Sequence, residues 1–365
     1  MERKKVGTPY FNELELNNIL KVNSNKKVFI PNQFFKDLIE CNEFKPKISK
    51  IKTHEGTVNT YEKEANANHI AFAFCFVYMI SYLYRYANYI YYKGEEECFI
   101  DDKLIYMLCG TSPTSRGKDG VSYITKKDGL LERLGYSVKE DDFPIDYVYY
   151  VDVFGNVDYS FPDFILYSKV KYDLPTGYNK YNKKINYPIR AMHYDKESES
   201  ANTLDGYFYD VQYSTEIKIN VFTYCMARKE LGKLGFYLYA YLKSRCDYFY
   251  ATTDRKGYVR TLQDLSEDTG IGKSVLSKLL TVLEEHNMIF NSHNHYVIGL
   301  PKGKKVPPNT YITFDFEDFY KYEKKSVETR KVVSYEYYDS KVGVYLGTIE
   351  EVNEVNIELK MPLNL

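Results

Sequence analysis

The chemistry this chain could do is concentrated in a few short stretches. Thr269–Ser274 (TGIGKS) has the glycines, lysine and hydroxyl of a loop that cradles phosphates. Such a loop needs a further glycine five residues ahead of Gly272, where Glu267 stands, and a strand before it, where the pattern reads as helix. Gly110–Asp119 (GTSPTSRGKD) fails as well, because its glycines are misplaced and Asp119 sits where a magnesium-binding hydroxyl belongs. His293-Asn294-His295 sets two imidazoles one residue apart, as a metal-holding pair would. Here, however, an asparagine separates them at a hairpin turn, where a metal pair needs an apolar residue on a core strand. The absence of close Cys/His clusters disfavours zinc. What remains is binding chemistry. Lys273, Ser274, Ser277, Lys278 and Thr281 fall on one helical face, and ammonium and hydroxyl groups in that arrangement suit phosphates and base edges.

Those five residues need a particular set of elements to hold them. Leu262–Thr269 reads as a short helix, with Thr261 as its cap, Asp264 closing a capping-box variant, and Leu262 and Leu265 facing inward. Gly270 ends it, since glycine tolerates the left-handed backbone of a tight turn. A second helix runs from Lys273 to His286, and its apolar set Val275, Leu276, Leu279, Leu280, Val282 and Leu283 spans an arc of about 160°. Leu234–Tyr248 is an amphipathic helix ahead of this pair, and Gly257–Arg260 a short strand. Met288–Asn291 and Tyr296–Ile298 read as a hairpin, with Ser292, His293, Asn294 and His295 at its tip, suited to the DNA backbone or the minor groove. This order, with TGIGKSVLSKLL followed by LEEHNMI, resembles the winged-helix domains of bacterial regulators and of plasmid or phage replication proteins. The resemblance covers about a fifth of the chain. It implies a duplex DNA-binding module whose second helix enters the major groove. A buried helical hairpin, or a winged helix serving protein–protein contact, is the plainer alternative.

A fainter copy of the plan lies upstream. Asn66–Tyr92 reads as a helix, Cys98–Ile100 as extended, Asp102–Cys109 as a helix, and Gly110–Gly120 as a loop carrying Arg116 and Lys118. Val121–Leu134 is expected as the second helix, with Ile124, Leu130, Leu131 and Leu134 inward and Ser122, Lys126, Lys127 and Arg133 outward. Gly129 within it costs about 1 kcal/mol against alanine. Tyr147–Val153 and Val157–Phe161 would form its wing. Between the copies, Lys169–Arg190 interleaves cations, among them Lys183 and Lys184, with tyrosines, a mixture that suits either nucleic acid or an ordinary surface loop.

A chain of 365 residues suggests two or three domains. Its 40 tyrosines and no tryptophan, beside abundant Lys, Asn and Ile, look like the coding bias of an AT-rich genome, so single tyrosines carry no functional weight. The formal net charge of -1 argues against unselective coating of nucleic acid and leaves binding to local patches. The six cysteines, none in a CxxC pair, read as buried thiols of a reducing cytoplasm. The start lacks the apolar core of a signal peptide, and the apolar run Ile70–Tyr84 is shorter than a bilayer requires, so a core helix is expected in place of a membrane partner.

The expectation is an α+β protein with two winged-helix domains in tandem. Residues 1–64 form an N-terminal extension, solvated or DNA-tracking; 65–194 the first winged helix; 195–213 a linker; 214–318 the second; and 319–365 a β-containing tail, with strands at Lys331–Tyr337 and Val342–Thr348, that could pair with another subunit. The resemblance implies a cytoplasmic, non-catalytic replication initiator of a plasmid or phage from a low-GC Gram-positive bacterium. It would bind double-stranded DNA at direct repeats, require no cofactor and recruit host replication proteins. A transcriptional regulator or phage repressor, and more distantly a metal-dependent nicking initiator, are the alternatives.

Overall fold

Helices carry the cores of this protein and short sheets join them, a mixed α+β architecture. The computed structural model describes residues 9–44, 47–52, 58–63, 66–115, 120–145, 150–151, 157–158, 165–170, 184–191, 193–194, 206–207, 213–253, 257–302, 308–327 and 331–341. The chain divides into two compact units, Met1–Phe44 with Asn68–Tyr237, and Lys45–Ala67 with Leu238–Leu365.

The first unit begins with Glu13–Ile19 (α1), Lys27–Pro31 (β1) and Gln33–Glu40 (α2). The hairpin Lys47–Lys52 (β2) and Val58–Lys63 (β3) groups with the second unit. There follow Ala67–Arg85 (α3), Ile90–Lys93 (β4), Glu96–Phe99 (β5), Asp102–Leu108 (α4), Ser122–Thr125 (α5) and Leu130–Arg133 (α6). Short strands come next: Val138–Glu140 (β6), Pro144–Ile145 (β7), Tyr150–Val151 (β8), Val157–Asp158 (β9) and Ile165–Leu166 (β10). Tyr167–Val170 (α7), Ile185–Tyr187 (β11), His193–Tyr194 (β12), Gly206–Tyr207 (β13), Ser214–Lys218 (β14) and Ile219–Met226 (α8) complete the series. Gly232–Thr253 (α9) belongs to the first unit as far as Tyr237 and to the second from Leu238.

α3 is apolar on every side, with all residues from His69 to Tyr84 buried, as a central core helix must be. It is long and apolar enough to cross a membrane, yet 89% of that window is buried inside the protein. Phe74 at its middle meets Phe35 at 4.9 Å, Tyr237 at 5.5 Å, Phe236 at 5.8 Å and Phe34 at 6.0 Å. Tyrosine serves here as a core residue, since the buried Tyr78 hydroxyl donates to the Ile217 carbonyl at 3.1 Å and so satisfies its polar tip.

Residues 9–44 are not the loose extension expected of them. Asn12 caps α1 in a reciprocal box with Glu15, at 2.9 and 2.7 Å. β1 pairs antiparallel with β14, Val28 facing Ile217, and Leu20, Val28, Ile30, Phe34 and Leu38 are fully buried. This strand pair is why residues 214–237 fold with the first unit and not with the helices after them.

The fainter upstream copy is built only in part. α4 forms where expected, capped by Asp101, whose carboxylate accepts from Leu104 N–H at 3.0 Å. The helix expected over Val121–Leu134 is instead two single turns, α5 and α6, separated by a tight turn in which Gly129 N–H donates to the Lys126 carbonyl at 2.8 Å. Asp128 takes φ +55° there, and a Cβ on Gly129 would lie 2.5 Å from the Lys126 carbonyl oxygen, so KKDG encodes a turn that overrides the helical apolar spacing around it. The strands pair β4 with β5, β6 with β11 and β7 with β10. The expected wing survives as β8 pairing with β9, its other residues lying outside the described ones.

The second unit continues from α9 with Tyr258–Arg260 (β15), Leu262–Thr269 (α10), Lys273–Glu285 (α11), Ile289–Asn291 (β16), Tyr296–Ile298 (β17), Asn309–Thr313 (β18), Val332–Ser334 (β19) and Tyr335–Lys341 (α12). β15, β18 and β16 form one antiparallel sheet in that order. The expected pairing of Met288–Asn291 with Tyr296–Ile298 does not occur, because β18 takes that place, with Ile289 opposite Thr313 and Asn291 opposite Tyr311. Burial explains the choice. Thr310 and Tyr311 are fully buried, as a central strand requires, whereas β17 buries only Val297 and lies parallel to β19. The strand expected over Lys331–Tyr337 stops at Ser334 and continues as α12, and Val342–Thr348 lies outside the described residues.

Candidate nucleic-acid interface

The helix pair is held to its sheet by a chain of polar contacts that begins on α9. Arg245 Nε donates to the Tyr241 hydroxyl at 3.3 Å, and that hydroxyl lies 3.3 Å from the hydroxyl of Tyr258 on β15. Tyr258 donates to the carboxylate of Asp268 on α10 at 3.0 Å, and Arg260 meets the same carboxylate with two N–H groups at 2.8 and 2.9 Å. Burial pushes the Asp268 carboxyl up, but the hydrogen bonds from Arg260 and Tyr258 outweigh it and hold it below the usual carboxylate range. Asp268→Asn is expected to cost roughly 1–2 kcal/mol, discounted for the partly exposed Arg260. The depressed value sets the sign: the charged form is stabilised by folding, so the contribution is fully present above about pH 4 and disappears as pH falls through the lower, folded value. Thermal melts of both proteins should therefore differ at neutral pH and converge in acid; an equal gap at both would refute this role.

Thr261 caps α10 by accepting from Asp264 N–H at 3.1 Å, while the Asp264 carboxylate turns to Arg260 at 3.9 Å. Gly270 ends the helix at φ +67°, the left-handed region in which a side chain is strained. Ser266 Oγ donates to the Ile271 carbonyl at 2.7 Å, and the Ile271 side chain is fully buried, so the turn is pinned from both sides. TGIGKS is therefore an interhelical turn followed by a helix start.

α11 buries Leu276, Leu279, Leu280 and Leu283 and exposes Lys273, Ser274, Ser277 and Lys278, with Thr281 half-buried. The cap residue, Gly272, has no side chain to accept from the first N–H groups, which leaves a positive helix end beside those lysines. Val275, expected in the core, is instead 43% exposed, and Val282 is half-buried.

The residues expected at a wing tip lie at the base of the loop between β16 and β18. Ser292 Oγ accepts from Thr310 N–H at 3.0 Å. His293 Nε2 sits 2.7 and 2.9 Å from the two carboxylate oxygens of Glu284 near the end of α11, bracing loop to helix. Asn294, 4% exposed, donates from its side chain to the Pro308 carbonyl at 2.7 Å. His295 lies against the Tyr338 ring, with centroids 6.2 Å apart. Among its described residues this loop exposes Tyr296, Ile298, Gly299, Pro301 and Lys302. Sequence reading passed over Lys302, although its place in a proline- and glycine-flanked basic stretch, LPKGKKVPP, is a loop signal.

In the first unit, Ser122, Lys126 and Lys127 are exposed but sit on the broken segment, Ser122 starting α5 and the lysines following it, so they share no helical face. Lys184 is exposed and pairs with Asp141 at 3.1 Å. Arg116, Lys118 and Lys183 lie outside the described residues, as do 195–205 and 208–212 of the linker expected at 195–213, within which Gly206–Tyr207 forms β13 and pairs with β12. All six cysteines are free, and all but Cys98 are buried. Compared with known proteins, the chain matches no family model, no curated protein and no solved structure.

Proposed function

We propose that this chain is a sequence-specific duplex DNA-binding protein whose second unit is a winged helix with α11 as the recognition helix. The order helix, strand, helix, turn, helix, followed by two strands framing a long loop, supports this reading. The observation that carries it is the face of exposed Lys273, Ser274, Ser277 and Lys278 with half-buried Thr281, along which α11 has no acidic residue before Glu284 and which begins at a helix end without a side-chain cap. The first unit, lacking a continuous second helix, would contribute phosphate contacts through Lys126 and Lys127 in place of base reading. Because the helix pair and its flanking pattern resemble those of plasmid and phage replication proteins, the role we assign is origin recognition at direct repeats, without catalysis by this chain. Selection of bound fragments from the replicon that encodes the protein tests this. Direct repeats near the gene are expected, an inverted repeat ahead of other genes would shift the role to transcription, and failure to enrich any duplex would refute DNA recognition.

A further inference from the structure

We infer that Val275 reads a thymine methyl group in the major groove, so that the DNA site contains at least one T·A pair recognised by apolar contact; this rests on the DNA-binding reading above. The leucines of α11 are at most 7% exposed, whereas Val275 is 43% exposed. At about 100° per residue, Val275 lies roughly 60° around the helix from Lys278 and about 40° from Leu279, on the border where the leucine face gives way to the cationic one. Two turns further on, the half-buried Val282 continues the same border.

Valine can neither donate nor accept a hydrogen bond through its side chain, and being β-branched it is a poorer helix former than the leucine that follows it. At this place its use is contact with something apolar. On the major-groove edge of duplex DNA, the C5-methyl of thymine is the group that offers such contact, and it distinguishes T·A from the other pairs. The exposed Lys278 holds this side of the helix against phosphates or guanine acceptors, Lys273 lies roughly 160° around from Val275 on the far border of the polar face, and Val275 supplies a contact that neither can.

The test uses the full chain and a duplex that it selects from a randomised library, in which each thymine is replaced in turn by uracil. Uracil pairs as thymine does but lacks the methyl. Wild-type protein is expected to lose about three- to fivefold in affinity at one or more positions, the contribution of one buried methyl. Val275→Ala should bind the thymine and uracil forms of those positions equally, and Val275→Thr, which keeps one methyl, should fall between. Equal melting midpoints for the three proteins would show that the fold is unchanged. A wild type indifferent to every replacement, or a Val275→Ala variant with the full thymine preference, overturns the inference while leaving DNA binding intact. If no duplex is enriched, DNA binding fails, and this inference fails with it.

Discussion

Alanine at Lys273, Ser274 and Lys278 together is expected to weaken specific duplex binding by roughly a hundred- to ten-thousandfold, with no change in melting temperature. The size follows from removing three contacts, each worth about 1–3 kcal/mol when it reaches a base and less when it reaches a phosphate. Stability is spared because the three side chains are exposed and the leucine face beneath them is untouched. Loss of two lysines should also flatten the salt dependence, lowering the slope of log affinity against log salt by about two. Alanine at Lys126 and Lys127 should have a smaller effect, spread evenly over specific and unspecific duplexes, since those lysines share no helical face. Gel-shift titrations at several salt concentrations measure all of this. Unchanged affinity in the triple variant would remove α11 from the interface.

The largest loss of stability is expected from Phe74→Ala, about 3–5 kcal/mol, the range for deleting a buried aromatic ring. Phe74 is fully buried on α3 and packs with four rings, so the cavity has walls from α2 and α9 as well as from its own helix. Four rings on two helices cannot all collapse into one vacated space, which places the cost high in the range. Phe74→Leu, which refills part of the volume, should cost less. Denaturant titration followed by circular dichroism gives both values. A loss below about 1 kcal/mol for the alanine variant would mean that this aromatic cluster does not hold the first unit together.

The helix pair of the second unit was legible because its signals are local. Thr261 before Leu262, Gly270 after Thr269, and leucines at Leu276, Leu279, Leu280 and Leu283 each act within a turn or two of chain, and the observed bounds of α10 and α11 follow them closely. The break at Lys126–Gly129 was also written locally, as a lysine-aspartate-glycine turn, but apolar spacing outweighed it in reading Val121–Leu134 as one helix. Residues 9–44 were misjudged for a different reason. The cations on either side of it, Arg3, Lys4 and Lys5 before and Lys45, Lys47, Lys50 and Lys52 after, suggest a solvated arm over 1–64, while the Val28 and Ile30 alternation becomes meaningful only once Ser214–Lys218 lies beside it.

By itself, then, the sequence determined the helix–turn–helix, the face that carries Lys273, Ser274, Ser277, Lys278 and Thr281, and the existence of an all-round apolar core helix, though not its end: expected to run to Tyr92, it stops at Arg85 and Ile90 begins β4. Backbone propensity, capping and apolar periodicity are properties of neighbours along the chain, so each of these could be read from a short window. Tertiary structure alone decided that β16 pairs with β18 and not with β17, that β1 joins β14 from the far end of the first unit, that His293 and Asn294 turn inward, and that Val275 turns out. Strand pairing and burial depend on which distant residues compete for the same space, and a single strand of Tyr296–Ile298 cannot outbid Asn309–Thr313 when the latter buries Thr310 and Tyr311 at the centre of the sheet.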